Sequence, residues 1–261
     1  MSRLIHDMMN REVWVSESPQ KIISLVPSQT ELLYDLGLEE EVVGITKFCV
    51  HPYNWWRHKV RVGGTKQLNL LQIDNLQPDL IIANKEENTQ EQIEALATRY
   101  PVWLSDINSF EDALRMIQSI GTLVNRSEEA NGIIKRIVNG FSNLIKQFPN
   151  KRVAYFIWYQ PWMCAGENTF IHQMLAKMGW DNVMPYPSRY PEVSLEYIKS
   201  LNPDLCLLSS EPFPFKEKQA EELRAALPES KILFVDGEMF SWYGSRMIKA
   251  AHYLESLLLE V

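Results

Sequence analysis

The chain has 261 residues, 46% of them hydrophobic and 23% charged, which supports a real core and leaves room for two domains of ordinary size. A net charge of −7 offers no basic excess to neutralise phosphates, so nucleic acid is excluded as the main partner. No apolar run approaches the roughly 18 residues of a membrane span, and the three widely spaced cysteines, Cys49, Cys164 and Cys206, do not make a disulfide framework.

Met1 to Val15 is polar and mixed in charge, unlike a signal peptide, which leaves a cytoplasmic location open beside an extracytoplasmic one. Arg11 to Val15 reads as a short strand, one half of a hairpin. Lys21 to Val26 is a buried strand ended by Pro27-Ser28, and Ser28 or Thr30 is expected to cap a helix that carries Leu32, Leu33 and Leu36 and stops at Gly37. Strands are expected at Val42 to Thr46, Asp79 to Ala83 and Val102 to Leu104, with a helix from about Thr89 to Arg99. Buried strands alternating with helices imply an α/β fold with a parallel sheet covered on both faces.

From Ser127 to Phe148 the apolar residues Ala130, Ile133, Ile134, Ile137, Val138, Phe141, Leu144, Ile145 and Phe148 form one helical stripe. Ser127 can cap it, Glu128 and Glu129 suit the positive end of its dipole, and Pro149 stops it. Such a helix is roughly 33 Å long at about 1.5 Å per residue. The strand-helix pattern then restarts, with a strand at Arg152 to Trp158, a helix at Phe170 to Met178, a strand at Ile232 to Val235 and a last helix over Ser245 to Leu259. The expected organisation is therefore an N-terminal lobe (1–124), a connecting helix (125–149) and a C-terminal lobe (150–261).

A repeat supports the division. Ile73-Asp74-Asn75-Leu76-Gln77-Pro78-Asp79-Leu80-Ile81-Ile82 returns as Ile198-Lys199-Ser200-Leu201-Asn202-Pro203-Asp204-Leu205-Cys206-Leu207. Each copy reads as a helix end, a Pro-Asp turn and a buried strand running into a polar loop, and Glu86 in the first loop falls on Glu211 in the second.

Nucleotide-loop, nucleophile-elbow and zinc-protease motifs are missing. Cys49 and His51 share a loop with His58 nearby, but two ligand types in one loop do not make a metal site, and none is expected; His51 could still touch a bound cofactor. Aromatic residues are a stronger signal. Trp158-Tyr159-Gln160-Pro161-Trp162 and Phe240-Ser241-Trp242-Tyr243-Gly244 follow strands, Phe48 opens a third such loop, and Tyr186, Tyr190 and Pro191 form another aromatic stretch. Most such rings belong to cores. Pro161 and Gly244 mark these segments as loops, where aromatic residues line pockets. Glu86, Glu87 and Glu91 in one loop, and Glu211, Glu217, Glu221 and Glu222 in the other, match helix N-termini, and their repeat relation fits a two-fold symmetric basic partner.

Taken together, Ile23-Ser24-Leu25-Val26-Pro27-Ser28 with Thr30-Glu31, Val62-Gly63-Gly64, both Pro-Asp-Leu units, Pro191-Glu192-Val193-Ser194-Leu195-Glu196, and Asp236-Gly237 before Phe240-Ser241-Trp242-Tyr243-Gly244 resemble the helical-backbone periplasmic substrate-binding proteins of ABC importers. The likeness runs from about Lys21 to Leu258 and looks closest to the vitamin B12-binding members. It implies two Rossmann-like lobes joined by one rigid helix, with a cleft that holds a metal chelate such as cobalamin, and no intrinsic cofactor. It implies ligand contacts at Phe48 and Trp162 and at the Phe240/Trp242 pair. With the aromatic loops the expected ligand-binding set is Phe48, His51, Trp158, Trp162, Tyr190, Phe240, Trp242 and Tyr243. The resemblance also implies docking to arginines of a membrane permease through a glutamate on each lobe, chosen from Glu86, Glu87, Glu91, Glu211 and Glu217. The expected protein is a non-catalytic monomer, normally extracytoplasmic. Rival readings are a haem or siderophore carrier of the same fold, a plain metal-ion carrier, and a cytoplasmic chelatase-like enzyme in which His51, Glu86 and Glu87 handle metal or protons.

Overall fold

The structure, a computed structural model, describes residues 1–142, 144, 149–185, 188–257 and 261. In chain order it begins with β1 (Ser2–His6), β2 (Glu12–Ser16), β3 (Ile22–Ser24), α1 (Pro27–Asp35), β4 (Val42–Ile45), α2 (Tyr53–His58), β5 (Val60–Arg61), β6 (Gly63–Gly64) and β7 (Gln67–Leu68). Then come α3 (Leu70–Leu76), β8 (Leu80–Asn84), α4 (Gln90–Ala97), β9 (Val102–Ser105), α5 (Phe110–Leu123) and α6 (Ser127–Phe141). The remainder holds β10 (Arg152–Trp158), β11 (Met163–Cys164), α7 (Phe170–Lys177), β12 (Asp181–Asn182), α8 (Leu195–Ser200), β13 (Leu205–Ser209), α9 (Glu217–Ala226), β14 (Lys231–Val235), α10 (Glu238–Ser241) and α11 (Met247–Ser256). Among the described residues no helix is long and apolar enough to cross a membrane.

The chain forms two compact units. The first comprises Met1–Ile107, Glu111–Arg136 and Tyr243–Arg246, and the second Asn108–Phe110, Ile137–Trp242 and Met247–Val261. The α/β class read from the sequence holds in both. The first unit carries an all-parallel sheet in the order β5-β4-β3-β8-β9, and the second a sheet in the order β11-β10-β13-β14, parallel except for β11, with β12 also on β10. Helix α6 begins at Ser127 with Glu128 and Glu129 in its first turn, as predicted, but Ser127 lies inside the helix and the Arg126 carbonyl, not the Ser127 side chain, stands at the cap position, accepting from Ala130 N. The predicted continuation to Phe148 falls on 143 and 145–148, outside the described residues, as does Tyr186.

The repeated sentence has a physical meaning in both sheets. Gln77 (φ 48°) and Asn202 (φ 46°) each stand in the left-handed region that ends a helix, and proline follows each. The aspartate after the proline then ties down a neighbouring parallel strand. Asp79 accepts from the backbone N–H of Gln20 and of Lys21, both at 2.8 Å, and its own N–H donates to Lys21 O at 3.0 Å. Asp204 accepts from Arg152 N at 2.8 Å and donates its N–H to Arg152 O at 2.8 Å. Each turn thereby pairs strand ends that hydrophobic burial alone leaves free to slide.

The start of α1 departs from expectation. Pro27 occupies its first turn, where the missing N–H costs nothing, and no side chain caps it. Thr30 instead lies inside the helix, donating to Val26 O (2.9 Å) and standing 2.7 Å from Ser24 Oγ. The stop at Gly37 (φ 79°) is as predicted. The N-terminal hairpin of β1 and β2 covers a sheet edge: Met8 N donates to Leu104 O at 3.0 Å and Arg11 Nη2 to Val102 O at 3.1 Å, which occupies carbonyls that β9 would otherwise expose.

The short segment Tyr243–Arg246 packs with the first unit. Gly244 (φ 103°) allows the turn, and a Cβ there would lie 3.2 Å from Ser28 O. Arg246 then grips Glu31 of α1 through two bonds, Nε to Oε2 at 2.6 Å and Nη2 to Oε1 at 3.0 Å, with both side chains buried. This fork-to-fork geometry satisfies two charges that burial would otherwise make costly.

Candidate functional site

In open parallel sheets the ligand-contacting loops follow the carboxyl ends of the strands. The expected residues fall there with one exception: Phe48 and His51 follow β4, Trp158 and Trp162 close and follow β10, and Phe240, Trp242 and Tyr243 follow β14. Tyr190 lies instead in the stretch before the bridge between Met163 and Glu192, half-buried, with the Arg189 guanidinium 5.9 Å from its ring centre. The peptide bonds His51–Pro52, Gln160–Pro161 and Glu211–Pro212, all in such loops, are cis.

In the first unit Phe48 is 51% exposed. Lys47 Nζ lies 5.0 Å from its centre, and the ring rests against Gly64, where a Cβ would stand 3.1 Å from Phe48 Cε2. Gly63 accepts from Lys47 N at 2.8 Å in a turn whose φ of 104° favours glycine. The Val62-Gly63-Gly64 motif is thus a seat for Phe48. Cys49, next in sequence, points the other way. Its thiol is fully buried between the Thr30 hydroxyl (3.0 Å) and the Thr46 hydroxyl (3.1 Å), and burial pushes its pKa up. It anchors the loop, and among the described residues no group of three or more His, Cys, Asp or Glu is arranged to hold a metal ion.

In the second unit the aromatic residues divide into two kinds. Trp158 is 40% exposed and meets Phe213 edge-on at 5.8 Å. Trp162 is only 8% exposed; it stacks on Phe215 at 5.8 Å and meets Phe156 and Tyr159 at 5.3 and 4.8 Å. Glu222 of α9 holds this loop, accepting from Tyr159 Oη at 3.0 Å and Trp162 Nε1 at 3.4 Å. Phe240 is fully buried between Tyr155 and Tyr253, a core position. Trp242 is nearly covered, as is Tyr243, which belongs to the first unit. Phe213 and Glu222 were not among the expected site residues; the alternation Pro212-Phe213-Pro214-Phe215 after β13 is the sequence signal for the former.

The carboxylates also divide. Glu86 and Glu91 are exposed, Glu87 is half-buried, and Glu217 in the first turn of α9 is exposed and paired with Arg224. Glu211 stands two residues past β13 just as Glu86 stands two past β8, yet its side chain turns inward. One oxygen, Oε1, accepts from Ser241 Oγ at 2.7 Å and Trp242 Nε1 at 2.9 Å. Burial raises its pKa above the ordinary value, with Glu238 and Asp236 adding repulsion and the two hydrogen bonds opposing the shift.

A proton held more tightly in the folded state stabilises the fold at low pH, and that contribution is lost as pH rises through the raised pKa. Glu211→Gln keeps an acceptor for Ser241 and Trp242 and removes the titration. Urea unfolding of both proteins is expected to show the wild type losing stability relative to the variant as pH climbs from 4.5 toward neutrality. A difference that stays constant with pH would mean that Glu211 is not shielded as described.

These loops offer ring faces, ring edges and hydroxyls, with Glu211 and Glu222 committed to holding aromatic side chains in place. Aromatic surfaces with a few polar groups in such loops suit ligand contact. The chain belongs to the periplasmic binding protein family, whose model matches residues 22–228. Members carry transported solutes and no cofactor of their own, so the chelatase-like reading is set aside. Over 96% of this chain and 83% of its relative it is 25% identical to YvrC, an ABC transporter substrate-binding lipoprotein of Bacillus subtilis (strain 168). It is also 25% identical to the vitamin B12-binding protein of Pectobacterium carotovorum subsp. carotovorum (strain PC1), over 92% of this chain and 88% of that one. The crystal structure of the petrobactin-binding protein YclQ of Bacillus subtilis shares the fold, with a TM-score of 0.85, 16% identity and 99% of each chain covered.

Proposed function

We propose that this protein captures a metal-chelate cofactor of the corrinoid type, cobalamin being the best candidate, and hands it to the permease of an ABC importer outside the cytoplasmic membrane. The observation that carries the reading is the pair of exposed aromatic rings, Phe48 and Trp158, set at the carboxyl ends of the parallel strands in the two units. A corrinoid is broad, partly apolar and edged with amides, and ring faces with a few hydroxyls suit it. Relatives named as vitamin B12-binding proteins, alike over nine-tenths of the chain, support the choice of ligand.

Docking to the permease is assigned to Glu91 and Glu217, exposed in the first turns of the corresponding helices α4 and α9, with Glu86 and Glu87 beside the former. Glu211 is left out because its carboxylate is spent on Ser241 and Trp242.

The test is titration of tryptophan fluorescence with cyanocobalamin. Saturable quenching at micromolar ligand is expected. Absence of quenching, with haem or a ferric siderophore binding instead, would move the protein to another ligand within the same family.

A further inference from the structure

The segment between Glu41 and Asp74 contains no acidic residue, while Lys47, Arg57, Lys59, Arg61 and Lys66 all lie in it, in a chain whose net charge is −7. Part of that charge is answered locally. Lys59 lies 3.7 Å from Glu39 and is mostly covered, Lys66 donates to the Glu86 carbonyl, and Lys47 sits by Phe48. What stays at the surface is a compact group on α2 and β5. Tyr53, 62% exposed, stacks on Trp56 with ring centres 5.8 Å apart and planes 19° apart. Arg57 lies 5.9 Å from the Tyr53 ring centre and Arg61 4.8 Å from that of Trp56. His58 and Val60 complete the exposed group. The order is cation, ring, ring, cation.

We infer that this face of the first unit is an interaction surface for an anionic phospholipid bilayer. Phenol and indole rings settle at the headgroup level, where one end is apolar and the other wet, and guanidinium groups beside them meet lipid phosphates. Charge complementarity selects the occupant: a cation-rich patch on an acidic protein, with Glu39 held at its margin by Lys59, turns toward the surface that repels the rest of the chain. Two surface arginines beside ring partners, Arg61 also donating to the Trp56 carbonyl, fit a deformable interface, where phosphates can move to the cations. The inference rests on the importer reading for one point, that the protein works within reach of a membrane, as a lipoprotein relative does. The residues involved are not among the proposed ligand contacts.

The experiment is co-sedimentation of the full chain with vesicles of phosphatidylcholine alone and of equimolar phosphatidylglycerol and phosphatidylcholine, in low salt and in salt raised to about 0.5 M. Binding to the anionic vesicles is expected to be at least tenfold tighter than to the neutral ones, and to fall with salt. Arg57→Glu together with Arg61→Glu should lose at least roughly twentyfold, from about fivefold for each basic residue removed. Arg57→Glu alone and Tyr53→Ala, both at exposed positions, should each lose several-fold, and cyanocobalamin quenching should stay unchanged in every variant. Equal retention by both vesicle types would overturn the inference, as would undiminished binding of Arg57→Glu and Tyr53→Ala. Capture by an acidic protein surface such as immobilised polyglutamate, with vesicles ignored, would overturn it in favour of a protein partner. Because ligand titration and sedimentation are read separately, failure of one leaves the other standing.

Discussion

Replacement of Arg246 by alanine is expected to lower the stability of the protein by about 3–5 kcal/mol, because it strands the Glu31 carboxylate in a site closed to water. Both side chains are buried, at 5% and 6% exposure, and the two bonds between them form a planar fork that lysine cannot reproduce. The loss should appear as a lower urea midpoint with an unchanged slope. Most of the penalty comes from a buried carboxylate deprived of this cation and not from a missing attraction. The double variant Glu31→Leu/Arg246→Met should therefore recover much of it. A loss below about 1 kcal/mol for the single variant would mean that the carboxylate finds solvent, contrary to the burial described.

The second large effect separates two tryptophans four residues apart. Trp162→Ala is expected to cost about 3–5 kcal/mol, since the indole fills a core built with Phe156, Tyr159 and Phe215 and donates to Glu222. Trp158→Ala removes a ring that is 40% exposed and should move the unfolding midpoint less. It should instead weaken cobalamin binding at least tenfold, or about 1.4 kcal/mol. Chemical unfolding and fluorescence titration of the two variants decide the matter. The reverse pattern, with Trp162→Ala stable and deficient in ligand, would return Trp162 to the role that its family resemblance implies.

What could be read from the sequence was the part encoded locally. The Pro-Asp turns, the buried strand Arg152 to Trp158 and the stop at Gly37 depend on residues adjacent in the chain, and each appears as expected. The two-residue strands β5, β6, β7, β11 and β12 carry no period at all and form only because a neighbouring strand accepts them. Helix α2, Tyr-Asn-Trp-Trp-Arg-His, is too short for a stripe to emerge. Helix α5 is absent from the expected elements even though Ala113, Met116, Ile117 and Ile120, all buried, lie on one face; its signal was available and went unused.

The site was legible by loop and not by side chain. Sequence places aromatic residues after strand ends, but whether a ring faces solvent or core depends on what the fold brings to it. Phe213 leaves Trp158 exposed, and Phe215 with Phe156 covers Trp162. Glu86 and Glu211 are equivalent in the repeat, yet Ser241 and Trp242, some 30 positions downstream, turn only the second one inward.

The tie between Glu31 and Arg246 also bears on how the protein is made. The partners are 215 residues apart, so Arg246 is added that many residues after Glu31. At about 5–20 residues per second, the early carboxylate waits roughly 10–40 s for its cation. During that interval the first unit can complete its sheet without the Arg246 guanidinium. A truncated product ending before Tyr243 would remain in that state permanently. The sheet of the first unit is complete at β9, so the ion pair adds its stability in a separate, later step, when Arg246 is added.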